Sequence, residues 1–192
     1  MKWLIDAGHG GRAFGAYVTP GKRSPDVPPG IYEGVFNRNV ARLLIGENIV
    51  NLSHGVYDTP PKWRVKAINT IAAYHPGEVA LISIHANATG RGKKWDERAT
   101  GFRIFTSKKP SEFSVTMARV IERAFIESAE IPASNREILG RNYTILKHTK
   151  CPSVLIECGF MTALHDIDSL NKPHIFAKAI ARAIRALEGI TK

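Results

Sequence analysis

The sequence predicts an α/β fold: a single domain whose mixed, mainly parallel sheet is flanked by helices on both faces. Three observations predict it. Short β-prone runs alternate with longer stretches of helical periodicity along the chain. The runs at 3–5, 79–84 and 154–156 are nearly all apolar, as strands covered on both faces are. A length of 192 residues suits one domain with a sizeable core, and no repeat, linker or low-complexity segment divides it.

Trp3, Leu4 and Ile5 form a strand-prone run that breaks into Gly8, Gly10 and Gly11 around His9, so a buried strand ending in a turn is expected. Glycine on either side of His9 lets the backbone approach a neighbour closely. Residues 10–31 hold Pro20, Pro25, Pro28 and Pro29 with Lys22, Arg23 and Asp26, a polar loop of a length that is often functional. A helix opens at Glu33 with Phe36, Val40, Leu43, Leu44 and Val50 near one face, and is expected to reach about Leu52. Val56 and Tyr57 read as a second short strand.

Pro60 and Pro61 start the next helix, since proline is tolerated in a first turn. Val65, Ile68, Ile71 and Ala72 point inward from it, and Pro76 and Gly77 end it. Residues 79–84 are the clearest buried strand, 85–100 a polar loop and 102–105 a further strand. Residues 111–130 form an amphipathic helix with Phe113, Met117, Val120, Ile121, Ala124 and Phe125 on one face. Residues 142–147 and 153–157 are strand-like, with Pro152 between them, and 163–170 read as a short helix. The last helix, from Pro173 to about Gly189, buries Phe176, Ala179, Ile180, Ala183, Ile184 and Leu187.

Hydrophobic residues at 44% and charged residues at 23% are ordinary for a globular domain, but the net charge of +10 is not. It points to an anionic partner: nucleic acid, a membrane surface or an acidic polymer such as cell wall. Cys151 and Cys158 form no Cys-x-x-Cys pair, so no disulfide framework is implied and burial as small apolar groups is expected. No apolar stretch is long enough to cross a bilayer. The opening strand meets Asp6 too soon for a signal peptide, so synthesis in the cytoplasm is expected.

Four residues carry the chemistry. His9 and Glu157 close strand-like runs, His85 follows another, and Glu33 opens a helix. Ligands gather past the carboxyl ends of strands in open α/β sheets. Two histidines, one carboxylate ligand and a second carboxylate as base form a set that a hydrolytic zinc site uses. Taken singly, each has an ordinary reading: His9 as a turn residue, His85 as a polar cap on a buried strand, Glu33 as an acid favoured by a helix N-terminus. Gly8 to Ala13 fits the dinucleotide pattern G-x-G-x-x-A, but it opens a proline-rich loop where that pattern needs a helix. His54, His75, His148, His165 and His174 read as ordinary surface or core histidines.

In order, Asp6, Gly8, His9, Gly10 and Gly11, then Glu33 with Asn37, then Ser83, His85 and Asn87, then Glu157, Gly159 and Phe160 resemble the motifs of zinc-dependent N-acetylmuramoyl-L-alanine amidases. These are the type-3 catalytic domains of bacterial amidases and phage endolysins. The resemblance covers almost the whole chain, so residues 1–192 are expected to be one zinc amidase catalytic domain. It implies His9, Glu33 and His85 as zinc ligands and Glu157 as general base turned general acid. The implied substrate is peptidoglycan, cut between the lactyl group of N-acetylmuramic acid and L-alanine. A monomer that binds no nucleic acid is expected.

Further expectations concern other residues and the protein's setting. Asp6 either holds a zinc-bound histidine in its tautomer or caps a turn, and Asn87 either binds substrate or holds its loop. Arg91, Lys93, Lys94 and Trp95 contact glycan or stem peptide, or form a solvated loop tip. Lys178, Arg182 and Arg185 line the wet side of the last helix, with acidic headgroups or wall polymer as the alternative partner of that face. A chain without leader or wall-binding domain is expected, which suits an endolysin released through a holin-formed hole to lyse the cell, and a catalytic domain cut from a larger protein would read the same. Residues 87–100 leave little room for the blocking helix of some relatives, so activity without an activator is expected. Rival readings are a zinc peptidase cutting within the stem peptide, and a non-catalytic basic module binding wall or nucleic acid.

Overall fold

A computed structural model describes residues 1–52, 55–90, 92–133 and 137–190. In chain order the elements are β1 (Lys2–Ala7), β2 (Arg12–Ala13), β3 (Ala16–Tyr17), α1 (Glu33–Leu43), β4 (Ile49–Asn51), α2 (Pro61–Tyr74) and β5 (Val79–Asn87). They continue as β6 (Arg103–Thr106), α3 (Glu112–Ile126), β7 (Glu137–Gly140), α4 (Thr144–Lys147), β8 (Ser153–Phe160), α5 (Leu164–Leu170) and α6 (Pro173–Ile190). Six strands make one sheet in the order β4-β1-β5-β8-β6-β7, and β2 and β3 pair as a small hairpin. The first four strands of that order run parallel; β6 is antiparallel to β8, and β7 runs parallel to β6.

Strand alternation divides the core into two layers. Trp3, Ile5, Ala80, Ile82, Ile84, Val154 and Ile156 turn to the larger layer, where they meet Phe36 and Val40 of α1, Met117, Ile121 and Phe125 of α3, and Phe176 and Ile180 of α6. Leu4, Leu81, Leu155 and Phe105 face the other way, onto Val65 and Ile68 of α2 and Ile145 and Leu146 of α4. Helices therefore cover both faces, as the sequence predicts. From β1 the chain reaches β4 on one side and then β5 on the other. The carboxyl ends of β1 and β5 consequently border the kind of crevice where α/β sheets bind ligands.

Several boundaries differ from expectation. The helix begun at Glu33 stops at Leu43, not near Leu52, and Ile49 to Asn51 become the edge strand β4 against β1. Leu43 is half exposed, so its place on the buried face is also corrected. The β-branched pair Ile49 and Val50 is better used as a strand, because it extends the sheet beside Trp3 and Leu4. Strand β4 replaces the short strand expected at Val56 and Tyr57. Residues 144–147 form one helical turn instead of a strand, placing Ile145 and Leu146 in the smaller layer. Strand β7 was not expected; it is only four residues long, at the sheet edge.

Helix α3 ends at Ile126, short of residue 130, and its Ser111 cap accepts from the backbone of Ser114. Both cysteines are free; Cys158 is buried and Cys151 partly so. Among the described residues no helix is long and apolar enough to cross a membrane.

Candidate metal centre

The four expected residues converge at the carboxyl end of the sheet, lining one cleft of about 800 Å³. The strands reach further than the sequence implies. His85, expected just beyond its strand, lies within β5, and Glu157, expected at the end of its run, lies within β8; the two are register partners on neighbouring parallel strands. Their ladder shifts register between His85 and Asn87, an irregularity of the kind that re-aims side chains beside active sites. His9 sits past β1 with a left-handed backbone, φ 62°. Gly8 and Gly10 beside it have a steric purpose: a Cβ on Gly8 would strike the His85 imidazole, and one on Gly10 would strike Val18. Residues 12–17 then form the β2–β3 hairpin, not a helix, which agrees with excluding the dinucleotide pattern.

Glu33 is buried at the first turn of α1. Its Oε1 lies 3.0 Å from His85 Nδ1 and 3.4 Å from His9 Nε2, and it accepts from the Ala86 amide at 3.3 Å. The two imidazoles meet edge to face with centroids 5.1 Å apart. One donor atom from each of His9, Glu33 and His85 lies within 4.8 Å of the others. Zinc bonds of about 2.0–2.2 Å at tetrahedral angles would separate ligand atoms by about 3.4 Å, so this donor set fits the ion.

Burial pushes the Glu33 carboxyl up, but its contacts with His85 and His9 outweigh that and hold it well below the usual carboxylate range. Glu157 goes the other way. Burial, then the nearby charge of Glu33, raise it well above the usual range, and Lys22 opposes them only in part. Among the described residues Glu157 Oε2 is a buried oxygen with no hydrogen-bond partner. The pair thus divides into a carboxylate held anionic and a carboxyl whose protonated form is favoured.

Asp6 takes neither expected role. One of its oxygens accepts from Arg64 Nη1 at 2.7 Å and the other from Ser83 Oγ at 2.7 Å. The carboxylate behind His9 is Asp58, whose Oδ2 lies 3.8 Å from His9 Nδ1 and accepts from Thr19 Oγ1 at 3.0 Å. Sequence reading missed Asp58, which is 49 positions away and carries no local motif. Asn37 Nδ2 donates to the Gly8 carbonyl at 3.0 Å, tying α1 to the His9 turn. Asn87 Oδ1 accepts from the Ala88 amide at 2.8 Å, so the side chain holds its own loop.

Trp95 is partly buried against the larger core layer, and its indole donates to Asp26 at 2.9 Å; it staples two loops together instead of capping a solvated tip. Lys93 and Lys94 are exposed, while Arg91, like His54, lies outside the described residues. On α6, Arg182 pairs with Glu127 at 2.8 Å and donates to the Ala124 carbonyl, and Lys178 and Arg185 are exposed.

A family model described as N-acetylmuramoyl-L-alanine amidase, Amidase_3, matches residues 4–186. Among curated proteins no match is found. An N-acetylmuramoyl-L-alanine amidase from Clostridium difficile 630 superposes with a TM-score of 0.74 at 22% identity, over 96% of this chain and 95% of that one. Ami1 from Mycobacterium smegmatis gives 0.73 at 21% identity over 98% and 97%. The catalytic domain of the CD27L endolysin targeting Clostridia difficile gives 0.68 at 18% over 97% of each chain. At these identities the three structures establish a shared fold, and the family model establishes more: this chain belongs to the N-acetylmuramoyl-L-alanine amidase family, Amidase_3.

Proposed function

We propose that this peptidoglycan amidase holds one zinc ion through His9, Glu33 and His85 and uses Glu157 as its general base and acid. The observation that carries the reading is the shared Glu33 oxygen, 3.0 Å from one imidazole and 3.4 Å from the other, with Glu157 level with His85 on the next strand. Zinc, when bound, supplies a Lewis acid that polarises the scissile carbonyl and lowers the pKa of water towards about 7. Glu157 takes a proton as the water oxygen attacks the carbonyl carbon. It returns that proton to the amine nitrogen as the carbon–nitrogen bond breaks. The products are a carboxylate on the lactyl group and a free amino terminus on L-alanine. Asn37 and Arg64 keep the His9 turn in place meanwhile, through the Gly8 and His9 carbonyls.

The protein acts on the wall as a monomeric endolysin, reaching it after release from the cytoplasm and without an activator. What supports the last point is that residues 88–102 contain no helix among those described, so the cleft has no such cover there. Digestion of purified peptidoglycan tests the reaction. The expected outcome is new L-alanine amino termini and intact stem peptide, no new reducing sugar ends, and loss of activity in EDTA that zinc restores. Peptides cut within the stem would establish a peptidase, and full activity after verified zinc removal would refute the metal reading.

A further inference from the structure

Two buried arginines converge on a single backbone oxygen behind the cleft. The His9 carbonyl accepts from Arg38 Nη1 at 2.6 Å and from Arg64 Nη2 at 3.0 Å. Both side chains are nearly excluded from solvent, at 3% and 6% exposure. Arg64 has a counter-ion in Asp6, whereas the acceptors described for Arg38 are carbonyls: those of Gly34, Gly55 and Tyr57 besides His9. Burial, and then the charge of Arg64, work against the protonated form of Arg38. A carbonyl needs one N–H to be satisfied, so a second, like-charged donor brought in at that cost calls for a further purpose.

His9 itself supplies it. Its φ of 62° is uncommon for a non-glycine residue, and that backbone turn aims its imidazole at Glu33. Arg38 also grips the carbonyls of Gly55 and Tyr57, next to Asp58 behind the His9 ring. We infer that Arg38 is a positioning residue that, together with Arg64, locks the left-handed His9 turn and so presets the metal site before the ion arrives. The inference rests on His9 being a zinc ligand, as proposed above.

Competition with a chromophoric chelator measures zinc affinity for the full chain as wild type, Arg38→Met and Arg38→Lys. Groups that orient metal ligands cost about 10–100-fold in affinity when removed. Arg38→Met is expected to bind zinc at least about tenfold more weakly, with an altered visible spectrum after cobalt substitution, and Arg38→Lys to recover part of the loss. A folded Arg38→Met variant with wild-type zinc affinity and cobalt spectrum overturns the clamp alone; a wild type that binds no zinc overturns the metal reading beneath it. The metal-free wild type decides the matter even where neither variant folds. Backbone couplings and carbonyl shifts of His9 should report the left-handed turn both before and after zinc is added. An extended His9 that turns left-handed only with zinc overturns the proposal.

Discussion

His85 and His9 face the same carboxylate from two different kinds of backbone. His85 stands inside β5 as the register partner of Glu157, so the hydrogen-bonded ladder that builds the sheet also sets its direction. His9 stands beyond the end of β1, where no ladder reaches. Its direction comes from a left-handed turn, close-packed glycines, two arginines on its carbonyl and Asp58 near its outer nitrogen. Regular structure places a site residue as a by-product of folding. Irregular structure needs a polar network of its own, drawn from distant parts of the chain.

The largest expected effect lies on the ladder side. Glu157→Gln removes the proton acceptor while keeping its shape, and turnover of peptidoglycan should fall by about 10²–10⁴-fold. Zinc affinity and thermal midpoint should stay near wild type, and a variant with more than a tenth of wild-type activity would contradict the assignment. Gly8→Ala probes the place where the two sides touch. The added methyl meets the His85 ring, so steady-state kinetics should show a clear drop in activity and chemical denaturation a loss of about 1–3 kcal/mol. An unaffected variant would show that the histidine turn is looser than described.

A smaller effect is carried by pH. Glu157 must be ionised to accept a proton, and burial followed by the Glu33 charge raises its pKa. Falling pH therefore protonates it early in the metal-free protein, where its carboxyl carbon, followed by NMR, should titrate above the ordinary carboxylate range. A titration at or below that range would contradict the burial described for Glu157. Smallest of all, Ile82→Val trims the fully buried centre of β5 three residues from His85. It should cost about 0.5–1.5 kcal/mol in denaturant titration and leave turnover unchanged.

Legibility in the sequence follows the same division. Helix α6 and strands β1, β5 and β8 were readable because period and apolar continuity are local properties, and Phe176, Ile180, Ala183 and Leu187 fall where the pattern puts them. The stretch after Leu43 misled because Val50 suits a helical face as well as an edge strand, and pairing with β1 decides between them. His9, Glu33, His85 and Glu157 stood out as a set through their motifs. Asp58, Arg38 and Arg64 did not, since each acts across a fold that brings together residues far apart in the chain. One signal was present for Arg64: it precedes Ile68 by four positions, which puts a charge on the buried face of α2.

Crystals grown with zinc and measured on both sides of the zinc absorption edge give the most direct test of the central claim. The expected map holds one anomalous peak within about 2.0–2.2 Å of a His9 nitrogen, a Glu33 oxygen and a His85 nitrogen, on the side that Glu157 faces. A peak bound by other residues, or none at this cluster in protein that hydrolyses peptidoglycan, would contradict it.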